Sequence, residues 1–171
     1  MKHEYEALYG RVELRSLSLS DAERMRVLRN QNSSSFFNTA QITLEAQRRW
    51  YEKYLSAEGD YMFSVYLCGT NQWVGAVGIY HVDQLNARCE FGRLMIDRSA
   101  VAERGLGIDT TLAACQFAFD QLGLSTVFLE VFQDNLAAVR TYERSGFQVC
   151  GARPEDTGKT ILYMEKYRSE R

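Results

Sequence analysis

Residues 95–119 place the tightest limit on what this chain can fold into. An apolar run at 90–96 has strand character and leads through a short loop into Glu103-Arg104-Gly105-Leu106-Gly107-Ile108-Asp109. Leu112, Cys115, Gln116, Phe117 and Phe119 then continue as a largely apolar helix. A helix that begins at a Gly-x-Gly turn presents unpaired amides and the positive end of its dipole, so an anion placed there is stabilised. Gly105 and Gly107 lack a Cβ, which permits positive φ and lets a phosphate approach the backbone closely. The turn reads as a pyrophosphate cradle, with a plain structural turn as the competing reading.

A second pattern follows after one strand. The β-branched and aromatic run at 127–132 leads into Asn135, Ala138, Tyr142, Gly146 and Phe147, in the order Asn-x-x-Ala-x-x-x-Tyr-x-x-x-Gly-Phe. That spacing puts Asn135 at a helix N-terminus and sets Ala138 and Tyr142 four residues apart on one face. Gly146 ends the helix, and Phe147 opens the next strand.

Two such motifs in this order resemble the Gcn5-related N-acetyltransferase superfamily, and the resemblance extends over nearly the whole chain. The Arg-Gly-x-Gly turn is similar to that family's acetyl-coenzyme A pyrophosphate loop, and the Asn…Tyr…Gly-Phe helix to its second cofactor motif. The resemblance implies acetyl-CoA as cosubstrate, with no metal. The cofactor site it implies comprises Leu94, Met95 and Ile96 on the strand edge, Arg104, Gly105, Leu106, Gly107, Ile108 and Asp109 at the turn, and Asn135, Ala138 and Tyr142 on the second helix. The family usually has Gly or Ala where Asp109 stands. A carboxylate there suits the helix dipole but repels phosphate if it points inward, so Asp109 is expected to face away, with Arg104 offsetting its charge.

The implied fold is α/β: a mixed, mostly antiparallel central sheet of about seven strands, with flanking helices and a splayed central strand pair. A length of 171 residues suits a single N-acetyltransferase domain over 1–171. In chain order, a strand at 11–17 is followed by a helix capped by Ser20 and a second helix from Thr43 with Gln47, Trp50, Tyr51 and Tyr54 on one face. A hairpin pairs strands at 61–68 and 73–82. Strands at 147–152 and 160–167 close the sheet, the last of them a possible edge at which a homodimer would form.

The chemistry asks for a proton donor and a base. Tyr142 matches the family's tyrosine and is the expected donor to the departing thiolate; its competing role is to pack on the helix face. Asn135 either bonds the pantetheine or caps its helix. Glu90, in an otherwise apolar strand, is the candidate base, against a surface ion pair with Arg88 or Arg93. His81 is the reserve base. No cysteine stands in a recognisable arrangement with either histidine, which favours direct attack by the amine over a covalent intermediate.

Arg29, Asn30, the Phe36-Phe37 pair and Gln47-x-x-Trp50 fall where the family reads its acceptor, and His81 is a further candidate acceptor residue. The Arg29-Asn30 pair, the Thr43-x-Glu45-x-Gln47-x-x-Trp50 helix and the Glu90-Phe91-Gly92 strand resemble the branch of ribosomal-protein alanine acetyltransferases and nucleotide-sugar amino acetyltransferases. The expected acceptor is a small-molecule amine such as an amino sugar nucleotide. The alternatives are a ribosomal-protein-like N-terminus and a coenzyme A-binding module without turnover.

A net charge of −2 with scattered Lys and Arg gives no reason to expect a nucleic acid or membrane partner. The first residues lack the apolar core of a signal peptide, so a cytoplasmic protein is expected. Cys68, Cys89, Cys115 and Cys150 are too widely spaced for a zinc site or a disulfide framework.

Overall fold

The computed structural model describes residues 2–33 and 37–169. The expected acceptor residue Phe36 lies outside them. The elements run β1 (Ala7–Tyr9), β2 (Val12–Ser16), α1 (Leu19–Gln31), α2 (Leu44–Ser56), β3 (Tyr61–Leu67), β4 (Trp73–Asp83), β5 (Arg88–Ile96) and α3 (Leu106–Gln116). Then follow β6 (Thr126–Phe132), α4 (Leu136–Arg144), β7 (Gln148–Pro154) and β8 (Thr160–Tyr167). They form one mixed sheet of eight strands in the order β1-β2-β3-β4-β5-β6-β8-β7, where β5–β6 is the parallel pair and all other neighbours are antiparallel. The strand beyond the expected seven is the short β1.

Helices cover both faces, which explains why the central strands read as nearly continuous apolar runs. Met62, Phe63, Ser64 and Val65 of β3 are all fully buried. Phe63, Val65, Val77 and Ile79 pack with Leu106, Ala113, Ala114 and Phe117 beneath α3, while Met62, Ala76 and Met95 pack with Ala22, Met25, Leu28, Tyr51 and Tyr54 beneath α1 and α2.

Two expectations are corrected here. The cap of α1 is Ser18, whose side chain accepts from the Asp21 amide, and not Ser20. Asp21, in the first turn, is drawn inward: its Oδ2 accepts from Ser64 Oγ at 2.8 Å and Tyr66 OH at 2.9 Å. These bonds offset the cost of burying a carboxylate. The strand β8 is not an edge. It lies between β6 and β7, so the edges are β1 and β7. Among the described residues, no helix is long and apolar enough to cross a membrane.

Candidate active site

The parallel pair at the centre of the sheet opens the site. β5 and β6 are in register only at Arg88–Thr126, Cys89–Val127 and Glu90–Phe128. Beyond these the strands part, and the β5 edge from Phe91 to Ile96 faces a cleft instead of a neighbour. A bulge in β5 accompanies the parting: Gly78 pairs with Gly92 but Ala76 pairs with Met95, which leaves one extra residue on β5. Arg93, inside the bulge, has φ +54°. The bulge breaks simple strand alternation, so the face that Glu90 shares with Gly92 does not carry on to Leu94.

The cleft measures about 1040 Å³ and brings together Leu94, Met95 and Ile96 of β5, Arg104 to Ile108 at the turn, and Asn135, Ala138 and Tyr142 of α4. Gly105 is the N-cap of α3 with φ +86°, a left-handed conformation that a side chain would strain. Gly107 does not share it. It lies within the helix, and a Cβ there would meet Thr141 Cγ2 at an ordinary 3.5 Å, so its contribution is open space on the cleft side. The amides of Leu106 and Gly107 precede the first helical hydrogen bonds, made by Ile108 and Asp109 to the Gly105 carbonyl. Arg98, Arg140 and Arg144, none of them anticipated from the sequence, also line the cleft and add positive charge to it. Arg140 and Arg144 sit at i and i+4 on α4, a spacing that could have revealed them.

Asp109 is not part of the cleft lining. Its carboxylate faces away, as expected, but its partner is Arg11 and not Arg104: Arg11 Nε donates to Oδ2 at 2.7 Å, and Arg11 Nη1 donates to the Arg104 carbonyl at 2.8 Å. The inclusion of Asp109 in the cofactor set is thereby corrected, because both its side chain and its amide are engaged in holding the start of α3.

Asn135 caps α4, its Oδ1 accepting from the Ala138 amide at 3.3 Å, while it also borders the cleft. The Tyr142 ring packs edge-on against Phe91, with centroids 5.7 Å apart, and lies near Phe147. Burial pushes its phenol up to about 12. Its hydroxyl makes no hydrogen bond to any described residue.

Glu90 does not pair with Arg88 or Arg93, which are taken by Glu165 and Asp60. Instead Oε1 accepts from Tyr80 OH at 3.1 Å and Oε2 lies 2.7 Å from His81 Nδ1. Burial, reinforced by Glu90, holds the Tyr80 phenol well above its usual range. Sequence reasoning missed Tyr80 because β4 carries an extra residue between its pairings Tyr80–Glu90 and Asp83–Arg88, which defeats counting across the hairpin. His81 occupies that irregularity with φ +49° and a largely exposed side chain. Gly92 permits the Tyr80 contact, since a Cβ there would come within 2.3 Å of the Tyr80 hydroxyl.

The expected acceptor residues divide. Arg29 and Phe37 border the cleft, and Phe37 lies T-shaped on Phe132 with centroids 4.6 Å apart. Asn30 borders neither hollow. It clamps the loop by exchanging two 2.9 Å bonds with the Ile42 backbone, and is corrected to a structural residue. Trp50 stacks on Tyr54 and lines a second, smaller cavity behind the cleft. His81 is outside the cleft lining and reaches it only through Glu90.

A family model for an acetyltransferase (GNAT) domain matches residues 11–148. The chain belongs to the GNAT acetyltransferases. It is therefore an N-acetyltransferase that takes acetyl-CoA as its acetyl donor. A spermine/spermidine N(1)-acetyltransferase of Bacillus subtilis (strain 168) is 30% identical over 130 residues, covering 71% of this chain and 77% of the relative. The GNAT fold recurs in the spermidine N-acetyltransferase of Vibrio cholerae, solved in complex with CoA and spermine, at TM-score 0.82 and 22% identity over 92% of this chain and 95% of that one. It recurs also in apo FdhC, a nucleotide-linked sugar GNAT, at TM-score 0.80 and 18% identity over 96% and 91% of the two chains.

Proposed function

We propose that this GNAT enzyme acetylates a primary amine of a small molecule by direct attack on acetyl-CoA. The observation that carries the reading is the parting of β5 from β6 beside the α3 N-terminus, with the Tyr142 hydroxyl uncommitted within the same cleft. The Leu106 and Gly107 amides, with the arginines around them, hold the pyrophosphate. The free edge of β5 at Leu94 to Ile96 pairs with the pantetheine as an added strand would, and a backbone amide there donates to the thioester oxygen as charge develops.

In the transfer, the amine nitrogen bonds to the carbonyl carbon, the carbon–sulfur bond breaks, and the ammonium proton leaves. Glu90, hydrogen-bonded by Tyr80 and backed by His81, receives that proton directly or through water. Tyr142 serves the sulfur. Complete proton transfer from a phenol at about 12 to a thiolate whose thiol titrates near ~8.5 is uphill by about 5 kcal/mol, so Tyr142 acts chiefly as a hydrogen-bond donor to the developing thiolate.

Two acceptor classes stand behind this reading. An amino sugar nucleotide follows from the aromatic and arginine residues near the cleft, Phe37 and Arg29. A polyamine follows from the names of the relatives. Isothermal titration with acetyl-CoA, followed by turnover on an amino sugar nucleotide, an N-terminal peptide and spermidine, tests the proposal. Turnover on a small amine is expected, and turnover on the peptide alone would overturn it.

A further inference from the structure

The second cavity, about 330 Å³, lies between α1, α2 and β5 and shares Arg29, Arg93 and Met95 with the cofactor cleft. Its size falls at the small end of the range for ligand pockets. Met25, Ile42, Ala46 and Trp50 give it apolar walls, and among the described residues no carboxylate lines it. Three arginines do: Arg26, Arg29 and Arg93. The Arg93 charge is answered by Asp60, bonded at 2.9 and 3.0 Å. Arg26 donates through Nη1 to the Ile42 carbonyl at 3.2 Å, a contact that leaves its positive charge in place.

Two donors in this wall lack partners. Gln47 is 2% exposed, and its Nε2 is buried with no hydrogen bond. Arg26 Nε is in the same state. A buried donor without an acceptor destabilises the fold, and a native structure retains one where something else supplies the acceptor. Both residues belong to one cavity, and both are donors, so the missing partner is an acceptor and the surrounding charge makes it an anion.

Resting on the acyl-transfer reading above, we infer that this cavity anchors the acceptor, which carries an anionic oxygen group, carboxylate or phosphate, bound by Gln47 Nε2 and Arg26 Nε. The shared wall at Arg93 and Met95 directs the far, amine-bearing end of such a molecule toward the thioester position. A polyamine is the wrong match. Its several ammonium groups meet arginines and buried donors and find no carboxylate among the described lining residues.

Isothermal titration of the CoA-saturated enzyme with matched amines tests this. One pair is glucosamine phosphate against glucosamine, and the other γ-aminobutyrate against its amide; spermidine is the polycationic arm. The anionic member of at least one pair should bind about tenfold or more tightly than its neutral counterpart, and the pair that discriminates identifies phosphate or carboxylate. Gln47→Leu and Arg26→Met should each erase that preference while CoA affinity stays unchanged. Equal binding within both pairs, or tighter binding of spermidine, would overturn the subsite. Acetylation of amines with no preference for the anionic member would overturn the subsite and leave the transfer reading intact. Selective binding of the anionic amines with no acetylation of any amine would support the subsite and overturn the transfer reading.

Discussion

Arg11, at the turn between the first two strands, holds the carboxylate of Asp109 at 2.7 Å across 98 residues of sequence. The pair places a negative charge in the first turn of α3 and turns it from the phosphate-facing amides. Gly10 completes the arrangement, because a Cβ there would meet Asp109 Cγ at 2.9 Å.

Removing the clasp frees the carboxylate to swing toward the anion site. Arg11→Met should raise the Kd for acetyl-CoA about threefold to tenfold, the scale of one helix-end charge in a partly exposed setting. Asp109→Asn on that background should recover most of the loss. An additive double-mutant cycle in the binding titration would show that Arg11 and Asp109 act separately.

Gly107→Trp fills the cleft from within the first turn of α3. Because a Cβ at Gly107 has ordinary room beside Thr141, the helix should persist while coenzyme A binding is abolished. Circular dichroism and titration together read the two effects, and normal binding would remove the cradle assignment.

Tyr142→Phe deletes a hydroxyl and keeps the packing on Phe91. The rate constant for transfer should fall on the order of tenfold to a hundredfold, with little change in acetyl-CoA affinity. Since burial holds the phenol up to about 12, Tyr142 stays protonated through the working range, and a basic limb below pH ~10 should persist unchanged in the variant. Unaltered turnover would take Tyr142 out of the mechanism.

Glu90→Gln should lower kcat/KM on the order of a hundredfold at neutral pH with acetyl-CoA affinity little changed. His81→Gln should have a smaller effect, because His81 contacts Glu90 and not the cleft. Equal losses from both substitutions would make His81 the base.

Stability should carry a histidine signature far from the site. His3 is tucked among Tyr5, Tyr61 and Phe63, and burial lowers its pKa from the ordinary value. The unfolded chain thus takes up a proton near pH ~6.5 that the folded chain refuses, so stability is full above that pH and declines as pH falls through the window below it. His3→Phe should flatten the decline in Tm measured from pH ~7 to ~5. An unchanged slope would assign the acid sensitivity to other groups.

Local signals were readable in proportion to how locally they act. The helix at Thr43, the strand at Thr126–Phe132, the Asn135 cap and the Gly105 turn each depend on a few neighbouring residues and were recognisable at once. Ser18 and Ser20 are both good caps and stand two residues apart, and the backbone's extended φ −87°, ψ 163° at Ser18 decides between them. Glu90 was recognisable as an odd carboxylate in an apolar strand, but its partners were not.

Capping, glycine freedom and side-chain periodicity are properties of short stretches, so the order of the main elements, the family motifs and the place where an anion meets a helix can be read from the residues alone. What each charge answers to is set by the packing of distant elements. The bulges at His81 and Arg93 shift register by one residue, so they choose which side chains meet across β4 and β5. Arg11–Asp109, Arg93–Asp60 and the unpaired Gln47 arise from elements brought together by sheet order and helix packing. Electrostatics depends on distance in space, which a linear spacing does not encode.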